Sequence, residues 1–154
     1  DYEKIQKAFE ITKFKRVLEI GAGSGRTCEA ILSIKKNFKY VLCDIAPAIY
    51  LSYKRLKLAF PDKIIALLID INNNVELEEK IEKSDIIFIF PHQLELLSKK
   101  SIDLIMAIDC MHEMDKDTIQ YYFKSFNYIT KNFYLSIWDK TDVPYSKSIL
   151  KKKK

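Results

Sequence analysis

Three glycines, Gly21, Gly23 and Gly25, directly follow the apolar run 16–20. Glycine accepts positive φ and leaves room for a close approach, so the backbone amides of such a turn can face a bound molecule. A glycine pattern alone is a weak signal, but one placed between a buried strand and a helix indicates a ligand site much more strongly. The sequence therefore predicts a turn that binds a small molecule through its backbone.

The spacing of these glycines separates two kinds of ligand. Dinucleotide-binding turns favour G-x-G-x-x-G, in which the third glycine lets helix and strand pack closely and the helix end receives a pyrophosphate. Here the third glycine comes one position early, and Arg26 stands where the packing glycine would be. Glu19 would oppose a pyrophosphate but could pair with an ammonium group; the alternative is a structural salt bridge. A ligand with an amino-acid end and no phosphates, such as S-adenosylmethionine, suits this turn better.

Asp44 lies 19 residues after Gly25, at the end of the next predicted strand. A carboxylate at that place can accept both hydroxyl hydrogens of a ribose. The alternative is a cap on the helix that begins near Pro47. With the glycine turn upstream, we predict that Asp44 binds a ribose.

Candidates for proton removal come from one short segment. If such a ligand donates its methyl group, transfer from the sulfonium is an in-line displacement, in which an enzyme brings the acceptor close and aligns it. Where the acceptor is a hydroxyl, which is a poor nucleophile, a base or a metal must help to remove its proton. His112 is the first candidate for this base and Glu113 is the second. The alternative for His112 is a loop histidine that packs on the cofactor or caps a turn.

No metal is predicted. The segment 112–116 lacks the second histidine of a zinc motif. Asp109 and Asp139 end what should be neighbouring strands, and hard oxygen ligands there could hold Mg²⁺. However, Lys140 rather than another oxygen ligand follows Asp139.

The elements that must position these residues alternate between strand and helix. Strands are predicted over 16–20, 39–43, 64–69, 86–90, 102–108 and 133–138. Helices are predicted over 2–13, 26–34, 47–60 and 75–83, and around an apolar stripe of Ile119, Tyr122, Phe123, Phe126 and Ile129. Tyr121 and Tyr122 could stack on a sugar, although their spacing is more typical of core residues. Apolar runs without alternation indicate strands buried on both faces, so we predict an α/β fold with a doubly wound, mainly parallel sheet and helices on both faces.

Such sheets bind ligands at the carboxyl ends of their strands, where the strand order reverses. We therefore expect the segments that follow the strands to gather along one edge of the sheet, which we call the upper rim. Its predicted members are 21–25, Asp44, 91–93, 109–113 and Asp139.

The run from Val17 to Arg26 resembles the first motif of class I S-adenosylmethionine-dependent methyltransferases, and Asp44 resembles their acidic residue after the second strand. The segments 86–97, 102–105 and 111–114 resemble a sugar O-methyltransferase family within that class. The resemblance covers roughly residues 5–138. It implies a Rossmann-like fold, S-adenosylmethionine as cofactor and O-methylation of a sugar or another small-molecule hydroxyl.

The resemblance also assigns residues. The glycine turn, including Ala22, would line the methionine part, and Asp44 with Ile45 would hold the ribose and adenine. His92 and Gln93 would contact the adenine amine, while the segment 109–111 would close over the cofactor. Together with Glu19, the expected cofactor contacts are Gly21, Ala22, Gly23, Gly25, Asp44, Ile45, His92, Gln93, Asp109 and Cys110.

Composition limits the alternatives. The net charge is +5, but Lys151 to Lys154 supply four of these charges, so the charge does not indicate a nucleic-acid partner. No apolar run reaches the roughly 18 residues of a membrane span. The three cysteines are odd in number and far apart, which fits a reducing cytoplasm better than a disulfide framework.

The length of 154 residues fits one domain, with a cofactor-binding core over 1–140 and an extension with the lysine tail over 141–154. Too few residues follow the last predicted strand for the C-terminal antiparallel hairpin of the class. We expect an exposed sheet edge that a partner chain, including a second copy, could cover. Two alternative functions stay open. The first is a degenerate module that serves assembly and holds either the cofactor or no ligand. The second is a nicotinamide oxidoreductase.

Overall fold

A computed structural model of the protein describes residues 2–8, 13–35 and 39–137. The helices are α1 (Tyr2–Ala8), α2 (Arg26–Ile34), α3 (Ala46–Ala59), α4 (Asn74–Lys83) and α5 (Lys116–Ile129). The strands are β1 (Arg16–Ile20), β2 (Lys39–Cys43), β3 (Ile65–Leu67), β4 (Ile86–Ile89), β5 (Leu104–Ile108) and β6 (Phe133–Ser136). Two short 3₁₀ helices, Pro91–Leu96 and Met111–Glu113, follow β4 and β5.

The six strands form one sheet in the order β3-β4-β2-β1-β5-β6, and every neighbouring pair is parallel. The chain leaves β1 toward β2 on one side and later places β5 on its other side. The order therefore reverses at β1, and a crevice opens above the carboxyl ends of β1 and β5. The predicted doubly wound parallel sheet is confirmed.

Alternate residues of β1 explain why its sequence is apolar without a polar face. Val17 packs with α1, α2 and α3 on one face of the sheet. Leu18 and Ile20 pack with α4 and α5 on the other. Because both faces are covered, each central strand contributes to two cores, and this selects continuous runs of valine, isoleucine and leucine.

The predictions for two strands and for one side chain need correction. The strand predicted over 64–69 comprises only Ile65–Leu67, because it is an edge strand that pairs with β4 alone. The strand predicted over 102–108 begins at Leu104. Phe123, predicted as part of the buried stripe, is exposed at the margin of α5, where its ring meets Phe133 of the edge strand β6.

A buried amide holds the chain where it leaves β3. Gln93 is fully buried, and its Oε1 accepts a hydrogen bond from the Phe90 amide at 2.8 Å. Its Nε2 donates to the carbonyls of Leu68 at 2.7 Å and Ile71 at 3.0 Å. These bonds satisfy backbone groups that the shortened strand leaves without ladder partners.

Some predictions fall outside the described residues, namely the second half of the first helix, Asp139 and the boundary at residue 140. Among the helices within 2–8, 13–35 and 39–137, none is both long enough and apolar enough to traverse a bilayer.

Candidate cofactor-binding site

A cavity of about 480 Å³ opens at the upper rim. Its volume lies within the range of small-molecule sites. The turn after β1, the end of β2, the residue after β4, the loop after β5 and helix α5 all contribute to it. The lining residues are Gly21, Gly23, Cys43, Asp44, Ile45, Ala48, Pro91, Asp109, Cys110, Glu113, Met114 and Tyr122.

The three glycines of the turn all have positive φ: +66° at Gly21, +55° at Gly23 and +75° at Gly25. Residues with a side chain rarely adopt this conformation, so the turn requires glycine at each position. The Gly21 amide donates to the Cys43 carbonyl at 2.9 Å, which fixes the start of the turn to the end of β2.

The surroundings of the glycines differ. A Cβ added at Gly21 would lie 2.4 Å from the Cβ of Cys110, whereas one at Gly23 would meet nothing within 4 Å. A Cβ at Gly25 would lie 3.1 Å from the Ser52 Cβ on α3. The absence of a side chain at Gly21 therefore lets the turn after β1 pass close to the loop after β5. The absence of a side chain at Gly23 leaves open space at the cavity. Gly25 serves the packing of α2 on α3 and lies outside the lining, which corrects its predicted place beside the cofactor.

Asp44 connects the glycine turn to α3. Its Oδ2 accepts from the Gly23 amide at 2.7 Å, and its Oδ1 accepts from the Ile45 amide at 2.7 Å. The cap residue of α3 is Ile45, so the alternative of a helix cap at Asp44 is wrong. A carboxylate oxygen can accept more than one hydrogen bond, and Asp44 thus keeps acceptor capacity toward the cavity.

The charge of the lining has one sign. Asp44, Asp109 and Glu113 are acidic, and the described residues of the lining include no lysine or arginine. A concave site with this balance attracts cations and opposes phosphates.

The loop after β5 is held in an unusual conformation. Asp109 has φ +53°, which is costly for a residue with a side chain, and its amide donates to the Ser136 carbonyl at 2.8 Å. The Cys110 thiol donates to the Ile20 carbonyl at 3.2 Å. Burial raises the pKa of Cys110 to about 12, and the neighbouring carboxylates add to the shift. Cys110 is therefore a protonated packing residue and not a thiolate nucleophile.

Glu19 lies behind the glycine turn and not in the cavity. Its side chain is buried on the α2 face of the sheet, where Oε2 accepts from the Tyr40 hydroxyl at 2.8 Å. Burial raises the pKa of Glu19 to about 7, the Asp44 charge adds to this, and hydrogen bonds from Tyr40 and Thr27 oppose it. Alternation along β1 places this side chain on the same face of the sheet as Val17, and its predicted contact with an ammonium group stays a prediction.

Four other predicted residues also lie outside the lining. Ala22 is buried, and its carbonyl accepts from the Gly25 amide at 2.9 Å. His92 is exposed, and its ring stacks on Phe90 with a centroid distance of 5.9 Å. The Gln93 amide is occupied by the backbone bonds described above, and its predicted adenine contact stays a prediction. His112, the first candidate for the base, is likewise absent from the lining, whereas Glu113 belongs to it.

Sequence reasoning missed five lining residues as contacts: Cys43, Ala48, Pro91, Met114 and Tyr122. The contact of Cys43 could have been predicted, because this residue ends a strand and ligands bind at the carboxyl ends of parallel strands. Tyr122 was placed in the core stripe by its spacing, which does not reveal that the far end of a long side chain reaches a cavity.

Within the described ranges, no group of three or more His, Cys, Asp or Glu side chains is arranged to hold a metal ion. The partner proposed for Asp109 in a Mg²⁺ site, Asp139, lies outside these ranges.

No protein-family model matches the chain, and no curated protein sequence matches it. Solved structures do. The methyltransferase domain of bacterial CtHen1 aligns with a TM-score of 0.59 at 14% identity, over 86% of this chain and 62% of that one. A SAM-dependent methyltransferase from Aquifex aeolicus aligns with a TM-score of 0.57 at 16% identity, over 95% of this chain and 71% of that one. An O-methyltransferase family protein from Burkholderia thailandensis aligns with a TM-score of 0.54 at 12% identity, over 80% of this chain and 31% of that one.

The chain has a methyltransferase fold. At these identities the likeness concerns the fold alone. The chain spans 62% of the length of the CtHen1 domain and 31% of the Burkholderia protein.

The two glycines of the lining provide a matched pair for mutation. We expect Gly23→Ala to lower the free energy of unfolding by about 1–2 kcal/mol, through positive φ alone. Gly21→Ala should lower it by about 3–5 kcal/mol, because the added methyl also collides with Cys110. Urea unfolding of both variants measures the difference. Equal losses would mean that the contact with Cys110 imposes no constraint.

Glu19 makes stability depend on pH. Its pKa is about 7 in the folded chain against an ordinary 4.5, so the folded state keeps a proton that the unfolded state releases between these values. Stability contributed by this group therefore falls as pH rises from 4.5 to 7. We expect Glu19→Gln to raise the free energy of unfolding by about 1–3 kcal/mol at pH 8 and to change it little at pH 4.

Denaturant unfolding at both pH values measures this effect. Glu79→Gln is the matched control, because that side chain is exposed on α4 and should show no such difference. A gain for Glu19→Gln that is equal at pH 4 and pH 8 would refute the linkage.

Proposed function

We propose that this chain binds S-adenosylmethionine in the cavity at the upper rim and transfers the methyl group to a hydroxyl of a small molecule, with a sugar as the favoured acceptor. The observation that supports this most directly is the lining itself. It combines a glycine turn, a carboxylate directly after the second strand and only acidic charges among its described residues.

The residues present suit such a ligand part by part. The open space at Gly23 admits a ligand close to the backbone. Asp44 offers carboxylate acceptors for ribose hydroxyls, and Ile45, which is 63% exposed, offers an apolar surface for a flat base beside them. A sulfonium and an ammonium group are both cationic, which suits the acidic lining, whereas a pyrophosphate would be repelled.

S-adenosylmethionine supplies an electrophilic methyl group on sulfur. The chain must hold an acceptor oxygen in line with that group and help to remove its proton. Glu113 lines the cavity, and this supports its carboxylate as the group that accepts a proton from a bound hydroxyl. We therefore place Glu113 before His112 as the candidate base, reversing the order predicted from the sequence.

The methyltransferase fold supports transfer of a methyl group, and the preference for a sugar rests on the resemblance of segments 86–97, 102–105 and 111–114. From the sequence alone, we also propose that the protein is cytoplasmic and that it assembles with a second copy of itself.

Titration calorimetry tests the ligand. We expect the chain to bind S-adenosylmethionine and S-adenosylhomocysteine and not NAD. Asp44→Ala should weaken binding of S-adenosylhomocysteine at least about tenfold, because it removes a charged acceptor of the ribose and loosens the turn. NAD binding would favour an oxidoreductase instead, and undiminished affinity in Asp44→Ala would remove the ribose assignment.

Turnover tests the chemistry. With a panel of sugars as acceptors, we expect Glu113→Gln to lower the rate of S-adenosylhomocysteine formation by about 10²- to 10⁴-fold while the affinity for the cofactor changes little. The matched control is His112→Gln, which alters the neighbouring position outside the lining. Cofactor binding without turnover on any acceptor would favour the binding module, and unchanged turnover in Glu113→Gln would exclude that residue as the base.

A further inference from the structure

Tyr122 combines burial with a place in the cavity wall. The residue lies on α5 and is only 5% exposed, yet it belongs to the lining. Its ring packs against Phe126 at a centroid distance of 6.0 Å and meets the Tyr121 ring edge-on at 5.7 Å. The aromatic part is thus fixed by the core, and the polar end extends toward the carboxyl ends of the central strands.

The Tyr122 hydroxyl has no hydrogen-bond partner within residues 2–8, 13–35 and 39–137, although buried tyrosines usually find one. Its neighbour differs, since the Tyr121 hydroxyl donates to the Pro91 carbonyl at 3.1 Å. The Tyr40 hydroxyl likewise donates to Glu19. The hydroxyl oxygen is not among the fully buried side-chain atoms that lack a partner, so it keeps access to the open cavity, where it is available to a bound molecule.

The surroundings show where the hydroxyl points. Burial raises the pKa of Tyr122 far above its ordinary value, and the nearby Cys43, Cys110 and Asp44 add to the shift. All three of these groups line the cavity. The phenol therefore stays protonated at working pH and faces the cavity as a hydrogen-bond donor.

The lining needs such a donor. Its carboxylates, from Asp44, Asp109 and Glu113, are acceptors when ionised. The Cys110 thiol is already directed to the Ile20 carbonyl. A nucleoside presents ring nitrogens and ribose oxygens that accept hydrogen bonds, and the carboxylates cannot satisfy those atoms.

We infer that the Tyr122 hydroxyl donates a hydrogen bond to the nucleoside part of the bound sulfonium nucleoside and is a specificity-determining residue of this site. The nucleoside end is favoured because Cys43 and Asp44, two of the groups around the phenol, form the end of β2 where the ribose carboxylate lies. This inference rests on the proposed function, since it names a residue of the same cavity.

The inference predicts two effects of Tyr122→Phe with opposite signs. Removing a hydroxyl that lacks a partner should leave the free energy of unfolding of the ligand-free chain unchanged or higher. Removing a donor to the ligand should weaken binding of S-adenosylhomocysteine and of adenosine by about 3- to 12-fold. Calorimetry measures the affinity for S-adenosylhomocysteine, and displacement of that ligand measures the affinity for adenosine. Urea unfolding measures stability.

Tyr121→Phe is the matched control. It removes the same atom from the adjacent residue, whose hydroxyl bonds to Pro91, so we expect lower stability and less than a twofold change in affinity. A wild-type chain that fails to bind S-adenosylhomocysteine would overturn the proposed function and this inference together. Unchanged affinities in Tyr122→Phe beside a binding wild type would overturn the inference alone. A loss confined to S-adenosylhomocysteine would place the hydroxyl at the amino-acid end and refute the nucleoside assignment.

Discussion

The hydrogen bond between the Asp44 carboxylate and the Gly23 amide, at 2.7 Å, ties the turn after β1 to the end of β2. The three glycines of this turn, which have positive φ, carry no side chains that could hold it, so its shape depends on backbone hydrogen bonds and on contacts such as this one. The bond fixes two things at once: the direction of the turn and the position of the acid that we assign to the ribose. The opening of the cavity between β1 and β5 follows from this arrangement.

Negative charge governs the chemistry around that turn. Asp44 and the other acids of the lining raise the pKa of Cys110, beyond the effect of burial, and Asp44 adds to the raised pKa of Glu19 behind the turn. Thiol and buried carboxyl thus retain their protons more readily than in water. A bound cation would relieve the repulsion among these groups, and a phosphate would increase it. The same field therefore excludes one class of nucleotide ligand and favours another.

Several features that oppose folding are concentrated beside the cavity. Asp109 adopts a left-handed conformation, the three glycines of the turn have positive φ, and Glu19 buries a carboxyl. Elsewhere the sheet has apolar cores on both faces. Departures from local preference that cluster in this way are typical of functional sites, where the surrounding structure stabilises what the local sequence does not.

The sequence by itself determined the parallel sheet, the order of strands and helices, the glycine turn and the position of Asp44 directly after the second strand, because these depend on residues close together in the chain and on hydrophobic pattern. Only the tertiary structure decided which side chains reach the cavity. Glu19 and Gln93 point into the protein, whereas Tyr122, predicted as core, extends to the ligand side. The reason is geometric: local pattern specifies the face of an element that is buried, but a cavity wall depends on how elements distant in sequence meet.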